Sequence, residues 1–239
     1  MLYPFSNRNL ITRLESSRKK IISGASILPN NINTLLQQPL TSLNANSQDF
    51  VITVLDIETT GLNPEQDHIV SLGWVNIVND VIKLSTAQHW IVKPHNSNDH
   101  PADIAQTLHH ILPEQQKLGI SLNEAINNLF DSLKTPVLLV HGACIEKRFL
   151  QQYFISKGWP EVPFIWLDSL KLEKNIQARR NIQSDFRLYS LRRKYHLPCY
   201  PAHHALIDAV ATAELFLIQK HLLFQSEEIS INVLHQLSQ

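Results

Sequence analysis

An α/β fold, with a mixed five-stranded sheet flanked by helices, is what this sequence predicts, and three observations carry it. Residues 50–93 hold three apolar, strand-like runs, two of them meeting at a turn signal, Asn79-Asp80. Two shorter apolar runs, PVLLVH (136–141) and PFIWLDS (163–169), are each followed by a stretch with helical spacing. With 44% hydrophobic and 18% charged residues among 239, the chain has the material for a globular core. A meander followed by strands alternating with helices gives a sheet of mixed direction.

In chain order, residues 1–48 are rich in Asn, Ser and Gln and read as an N-terminal helical extension, with short amphipathic helices over 9–22 and 32–40. It is expected to pack on the main domain or to reach a partner. A domain of 49–224 follows. FVITVLDIE (50–58), HIVSLGWVNIV (68–78) and VIKLSTAQHWIVK (81–93) are its first three strands, the last two joined as a tight hairpin. Helical spacing then predicts helices over 104–116 and 122–133, the second capped by Ser121 with Glu124 three residues on. The fourth strand feeds a helix over 145–158. The fifth ends at Asp168, read as the cap of the helix that follows. Further helices cover 187–196 and 205–224, and 225–239 forms a C-terminal helix.

Composition excludes several classes. No apolar run approaches the roughly 20 residues of a membrane span, and no signal-peptide pattern opens the chain. Two cysteines, Cys144 and Cys199, build neither a disulfide framework nor a zinc finger and suit a reducing, cytoplasmic compartment. The net charge is zero, which argues against a generally basic nucleic-acid binder. Between Lys171 and Lys194, however, eight Lys or Arg face two acids, a pattern that fits either a phosphate-binding face or a solvated helix face.

The costly feature is VITVLDIETTGLNP (51–64), where Asp56 and Glu58 end a buried strand on one face of it. Two carboxylates there repel each other and lose hydration. Glu146 sits at a helix entry and Asp208 in the first turns of another, five residues after His203. Carboxylates gathered at strand ends and helix starts become favourable around a divalent cation, and oxygen donors suit magnesium or manganese. Two such ions about 3.5–4 Å apart serve in-line displacement at phosphorus, and a histidine suits removal of the water's proton.

DIETTGL (56–62), HGACIEKRFL (141–150) and HHALIDAVATAELFL (203–217) together resemble the three motifs of the DEDDh 3′–5′ exonucleases, in particular the branch similar to the proofreading epsilon subunit of DNA polymerase III. The likeness runs from about residue 50 to about 222. It implies a ribonuclease H-like fold and two ions, Mg²⁺ or Mn²⁺, held by Asp56, Glu58, Glu146 and Asp208. By the same resemblance Asp56 would bridge both ions, and His203 would be the general base. Family members usually carry Asp where this chain has Glu146. Thr59, Thr60, Gly61 and Leu62 would meet the 3′-terminal nucleotide, with His109 in its pocket and His110 in place of a glycine. The implied activity is release of nucleoside 5′-monophosphates from single-stranded or frayed DNA 3′ ends, as in proofreading or repair. RNA trimming, an oligoribonuclease-like activity and end binding without turnover stay open. The expected partner is a nucleic-acid 3′ end. QKHLLF (219–224) has a passing likeness to sliding-clamp peptides, which burial of an amphipathic helix face disfavours, and association with a DNA polymerase stays open.

Overall fold

The computed structural model describes residues 8–24, 28–40, 45–94, 111–180, 185–225 and 228–239. Five strands, β1 (Ile52–Thr59), β2 (Ile69–Val78), β3 (Val81–Ile91), β4 (Val137–Val140) and β5 (Ile165–Asp168), form one sheet in the order β3-β2-β1-β4-β5. β1, β2 and β3 pair antiparallel, whereas β4 lies parallel to β1 and to β5. The mixed sheet is therefore the predicted one. Asn79 and Asp80 have φ of 52° and 58°, the two left-handed residues a type I′ hairpin turn requires.

Alternation along β1 assigns its side chains to two cores. Leu55 and Ile57 face one core, where α2 (Asn30–Leu36), α4 (Leu122–Ser132) and α5 (Cys144–Ser156) bring Leu36, Phe130 and Phe154. Ile52 and Val54 face the other, formed with α6 (Ser169–Arg180), α8 (Ala205–Phe224) and α9 (Ile231–Leu237). Asp56 and Glu58 share the parity of Ile52 and Val54, so they point to the α8 side. This parity makes the site possible.

The described segments before β1 and after α8 are knitted into the same body. In α1 (Arg8–Ser23), Arg18 pairs with Glu15 at 2.6 Å and donates to the Leu36 carbonyl, while Glu15 accepts the Leu40 N–H. Ile32, Leu35 and Leu36 join the core beside the aromatic cluster of Phe130, Tyr153, Phe154 and Phe164. Of the two expectations for the extension, packing is the one observed. Ser47 N–H donates to the Ile229 carbonyl, and His235 Nδ1–H donates to the Trp166 carbonyl on strand β5. Lys220 of α8 holds Asp80 of the hairpin at 2.7 Å.

The predicted helix over 104–116 differs. Residues 104–110 lie outside the described residues, and α3 (Pro113–Lys117) begins at Pro113. Proline disfavours the helical conformation for its predecessor and favours the first helical position, and Leu112 is extended with ψ 149°. Ser121 caps α4 reciprocally with Glu124 as predicted. A short α7 (Leu188–Lys194) precedes α8. In QKHLLF, Gln219, Leu223 and Phe224 are buried, and Gln219 donates to Ser169 and Glu173, so this stretch is core in the folded chain. No described helix is long and apolar enough to cross a membrane.

Candidate active site: a converging carboxylate cluster

Asp208 lies in the first turn of α8, whose N-terminal end approaches β2 beside Asp56. Its carboxylate turns back to accept the backbone N–H groups of His203 at 2.8 Å and His204 at 3.3 Å. His203 thereby holds a left-handed conformation, φ 65°, that costs about 1–3 kcal/mol in a non-glycine residue. Its side chain lines the cleft together with Asp56 and Asp208. Among the described residues, Asp56, Glu58 and Asp208 each bring one oxygen within 4.8 Å of the others.

Glu146, in the first turn of α5, stands beside this group and is not part of that triple. It is 5% exposed, and among the described residues its Oε2 has no hydrogen-bond partner. Asp168 stays out of the cluster too, with a different task. It accepts the N–H groups of Gly142 (2.9 Å), Ala143 (3.1 Å) and Leu170 (2.9 Å), so it caps α6 and clamps the turn that delivers Glu146. His141 reinforces that clamp, contacting Ser169 Oγ at 2.7 Å and the Phe186 carbonyl at 2.9 Å.

Four acids in one cleft resist ionisation together. Burial, then the charges of Glu146, Glu58 and Asp208, holds the Asp56 carboxyl well above the usual range. Burial and the Asp208 charge push Glu58 up to about 7. Burial likewise raises Glu146, with Asp168 and Glu58 adding to it, and raises Asp208 against the backbone hydrogen bonds it accepts. An orphaned buried oxygen beside three crowded carboxylates is an oxygen-only donor set that fits a hard divalent cation.

Thr59 to Leu62 leave β1 at a register shift. Thr59 Oγ1 donates to the Gly61 carbonyl, and Thr60 Oγ1 reaches Asp67. Asp67 also accepts the Asn63 N–H, and a Cβ at Gly61 would lie 2.5 Å from its carboxylate. The braced loop leaves Leu62 68% exposed. His109 and His110 lie outside the described residues.

Sequence reasoning missed Asp67, Gly73 and His89. Gly73 pairs with Asp56 across β1–β2 and with His89 across β2–β3. A Cβ on Gly73 would fall into the backbone of Ala205 and Leu206, so the absent side chain lets the start of α8 rest on the sheet. The His89 ring packs on His204 with centroids 4.3 Å apart, and burial and His204 push its imidazole down to about 4. A glycine inside the apolar run IVSLGWVNIV was the available signal. Gly73→Ala should destabilise by about 1–3 kcal/mol. It should lower kcat by more than about tenfold, because an ångström of misplacement at Asp208 is costly. Chemical denaturation and cleavage rates measure the two effects; wild-type values for both would refute this account of Gly73.

The comparisons with known proteins agree with this geometry. The exonuclease family profile matches residues 53–216. DNA polymerase III PolC-type of Mycoplasmopsis pulmonis is 28% identical over 194 residues, which cover 80% of this chain and 12% of that protein. The chain thus spans about an eighth of the length of its PolC-type relatives. DNA polymerase III subunit epsilon of Rickettsia prowazekii is 28% identical over 68% of this chain and 71% of its own. Among solved structures, the nuclease domain of 3′hExo, a DEDDh family member bound to rAMP, superposes with a TM-score of 0.61 at 20% identity, covering 77% of this chain and all of that one. With the motifs in order, the sheet in this topology and the family match across most of the chain, the chain belongs to the exonuclease family and carries the fold of its DEDDh 3′–5′ branch.

Proposed function

We propose that this chain is a metal-dependent 3′–5′ exonuclease that releases nucleoside 5′-monophosphates from single-stranded or frayed DNA 3′ ends. The observation that carries the proposal is the convergence of Asp56, Glu58 and Asp208, with the unpartnered Glu146 oxygen beside them. Asp56, Glu58, Glu146 and Asp208 would hold two Mg²⁺ or Mn²⁺ ions, and the longer Glu146 side chain reaches in from α5. Bound divalent ions supply charge neutralisation and water activation at the scissile phosphate. His203, held at the cleft by its bond to Asp208, takes the water's proton on a ring nitrogen. Thr59, Thr60, Gly61 and the exposed Leu62 receive the terminal nucleotide.

DNA as substrate is supported by the polymerase III relatives. An RNA-trimming or oligoribonuclease-like role is favoured instead by the rAMP bound to the 3′hExo domain. A 5′-labelled oligonucleotide incubated with Mg²⁺ or Mn²⁺ should shorten stepwise, and matched DNA and RNA strands in competition decide between the two. No product in either metal would leave end binding without turnover as the surviving reading. His203→Ala should slow cleavage by about 10²–10⁴-fold with binding retained. An unchanged rate would remove His203 from the role of base.

A further inference from the structure

The basic stretch between Lys171 and Lys194 divides in the folded chain. Arg192 is buried, bonded to Glu214 at 2.6 Å and to the carbonyls of Ala211 and Pro198, and Lys194 is bonded to Glu173 at 2.8 Å. These two serve packing. Lys174, Arg187 and Arg193 are exposed, and Lys174 and Arg193 keep company with aromatic rings. Lys174 lies 5.5 Å from the Phe186 ring and Arg193 5.9 Å from the Tyr189 ring. Arg187 pairs with Asp185, an exposed pair that a phosphate can replace at little cost.

Beneath this rim is a cavity of about 820 Å³, a volume typical of ligand sites. Phe186, Tyr189 and Tyr200 line it with Leu170 and Arg187. Tyr200 is fixed, its hydroxyl donating to Glu214 at 3.0 Å and its ring set 4.5 Å from the Arg192 guanidinium. Tyr189 is 49% exposed, a large apolar ring left open to solvent. The cavity reaches Asp56, His203 and Asp208, yet none of Thr59 to Leu62 lines it. A strand whose scissile phosphate sat at the carboxylates, with its terminal nucleotide on Thr59 to Leu62, would bring its next nucleoside toward this cavity.

We infer that the cavity between α6, α7 and the start of α8 is a nucleobase subsite for single-stranded nucleic acid, taking the unstacked base on the 5′ side of the scissile bond. This inference deepens the exonuclease reading and rests on its placement of the terminal nucleotide. Phe186 and Tyr189 supply stacking faces that tolerate any base, and Lys174, Arg187 and Arg193 meet the backbone leading to it. A base paired within a duplex cannot enter, so the subsite selects strands already melted at the 3′ end.

The test is equilibrium binding of a fluorescent single-stranded oligonucleotide in an Asp56→Asn background, with Mg²⁺, comparing that variant with one that also carries Tyr189→Ala or Phe186→Ala. Kd should rise by roughly tenfold for each. With an abasic residue at the penultimate position, the difference between the proteins should vanish. Equal affinities for the intact strand overturn the subsite, and so does a difference that persists with the abasic strand. Cleavage by the wild-type chain is read separately. Binding with the expected pattern but without cleavage in any metal leaves the subsite standing and rejects the exonuclease reading. Cleavage together with unaltered binding does the reverse.

Discussion

Asp56→Asn should abolish cleavage and, in EDTA, should melt at a higher temperature than the wild type. Both results come from one cause. Asp56 sits among the charges of Glu146, Glu58 and Asp208, and burial adds to the cost of its ionisation. The amide keeps the shape and removes the charge. For activity, the loss should exceed the roughly 10²–10³-fold assigned to a single oxyanion hydrogen bond, because the residue between all the other acids no longer attracts a cation. For stability, relief of repulsion at a strained functional site is worth about 1–2 kcal/mol. In a chain of this size that is roughly 2–4 °C per kcal/mol. A gel assay and thermal melts measure the pair. Wild-type cleavage by the variant, or a lower melting temperature in EDTA, would contradict a functional carboxylate cluster.

The second large effect couples pH to metal. Glu58 has its folded pKa raised to about 7 from an ordinary 4.5. Between those values the folded state binds the proton more tightly than the unfolded chain, so this group's contribution to stability falls as pH rises through the window. The penalty is fully present above about pH 7 and absent below about 4.5. Glu58→Gln should therefore stabilise the metal-free protein at pH 8, by up to about 3 kcal/mol before screening, and do nothing near pH 4.5. Comparing the variant with wild type is essential, since half-buried His89, its pKa pushed down to about 4, withdraws stability in the opposite direction as pH falls. Mn²⁺ should close most of that gap. At pH 8 an ion at 100 times its Kd raises wild-type stability by about 2.7 kcal/mol, and the rise should fade toward pH 5 as the carboxylates take up protons. A manganese-induced shift that is the same at both pH values would argue against these carboxylates as its ligands.

Much of the site was legible because its signals are local. Parity along β1 put Asp56 and Glu58 on one face, and the five-residue step from His203 to Asp208 placed both at one helix start. Asp168 was legible as a cap, but not as the clamp on Gly142 and Ala143, since that bond joins residues 26 apart. The roles of Gly73 and His89 were hidden for the same reason: they act through strand register and on a helix more than a hundred residues downstream. The basic stretch could not be divided into packing and rim from composition, because Glu173 and Glu214, which claim Lys194 and Arg192, sit on neighbouring helices.

The sequence by itself determined the mixed sheet, the acids offered at its strand ends and the family to which they point, since hydrophobic period and motif spacing are properties of neighbouring residues. Tertiary structure alone decided that three of the acids share a few ångströms while Glu146 waits beside them. It also decided that an aromatic cavity opens next to them. Separations between elements distant in the chain depend on register and on how closely a helix can approach a strand, and no pattern within either segment specifies them.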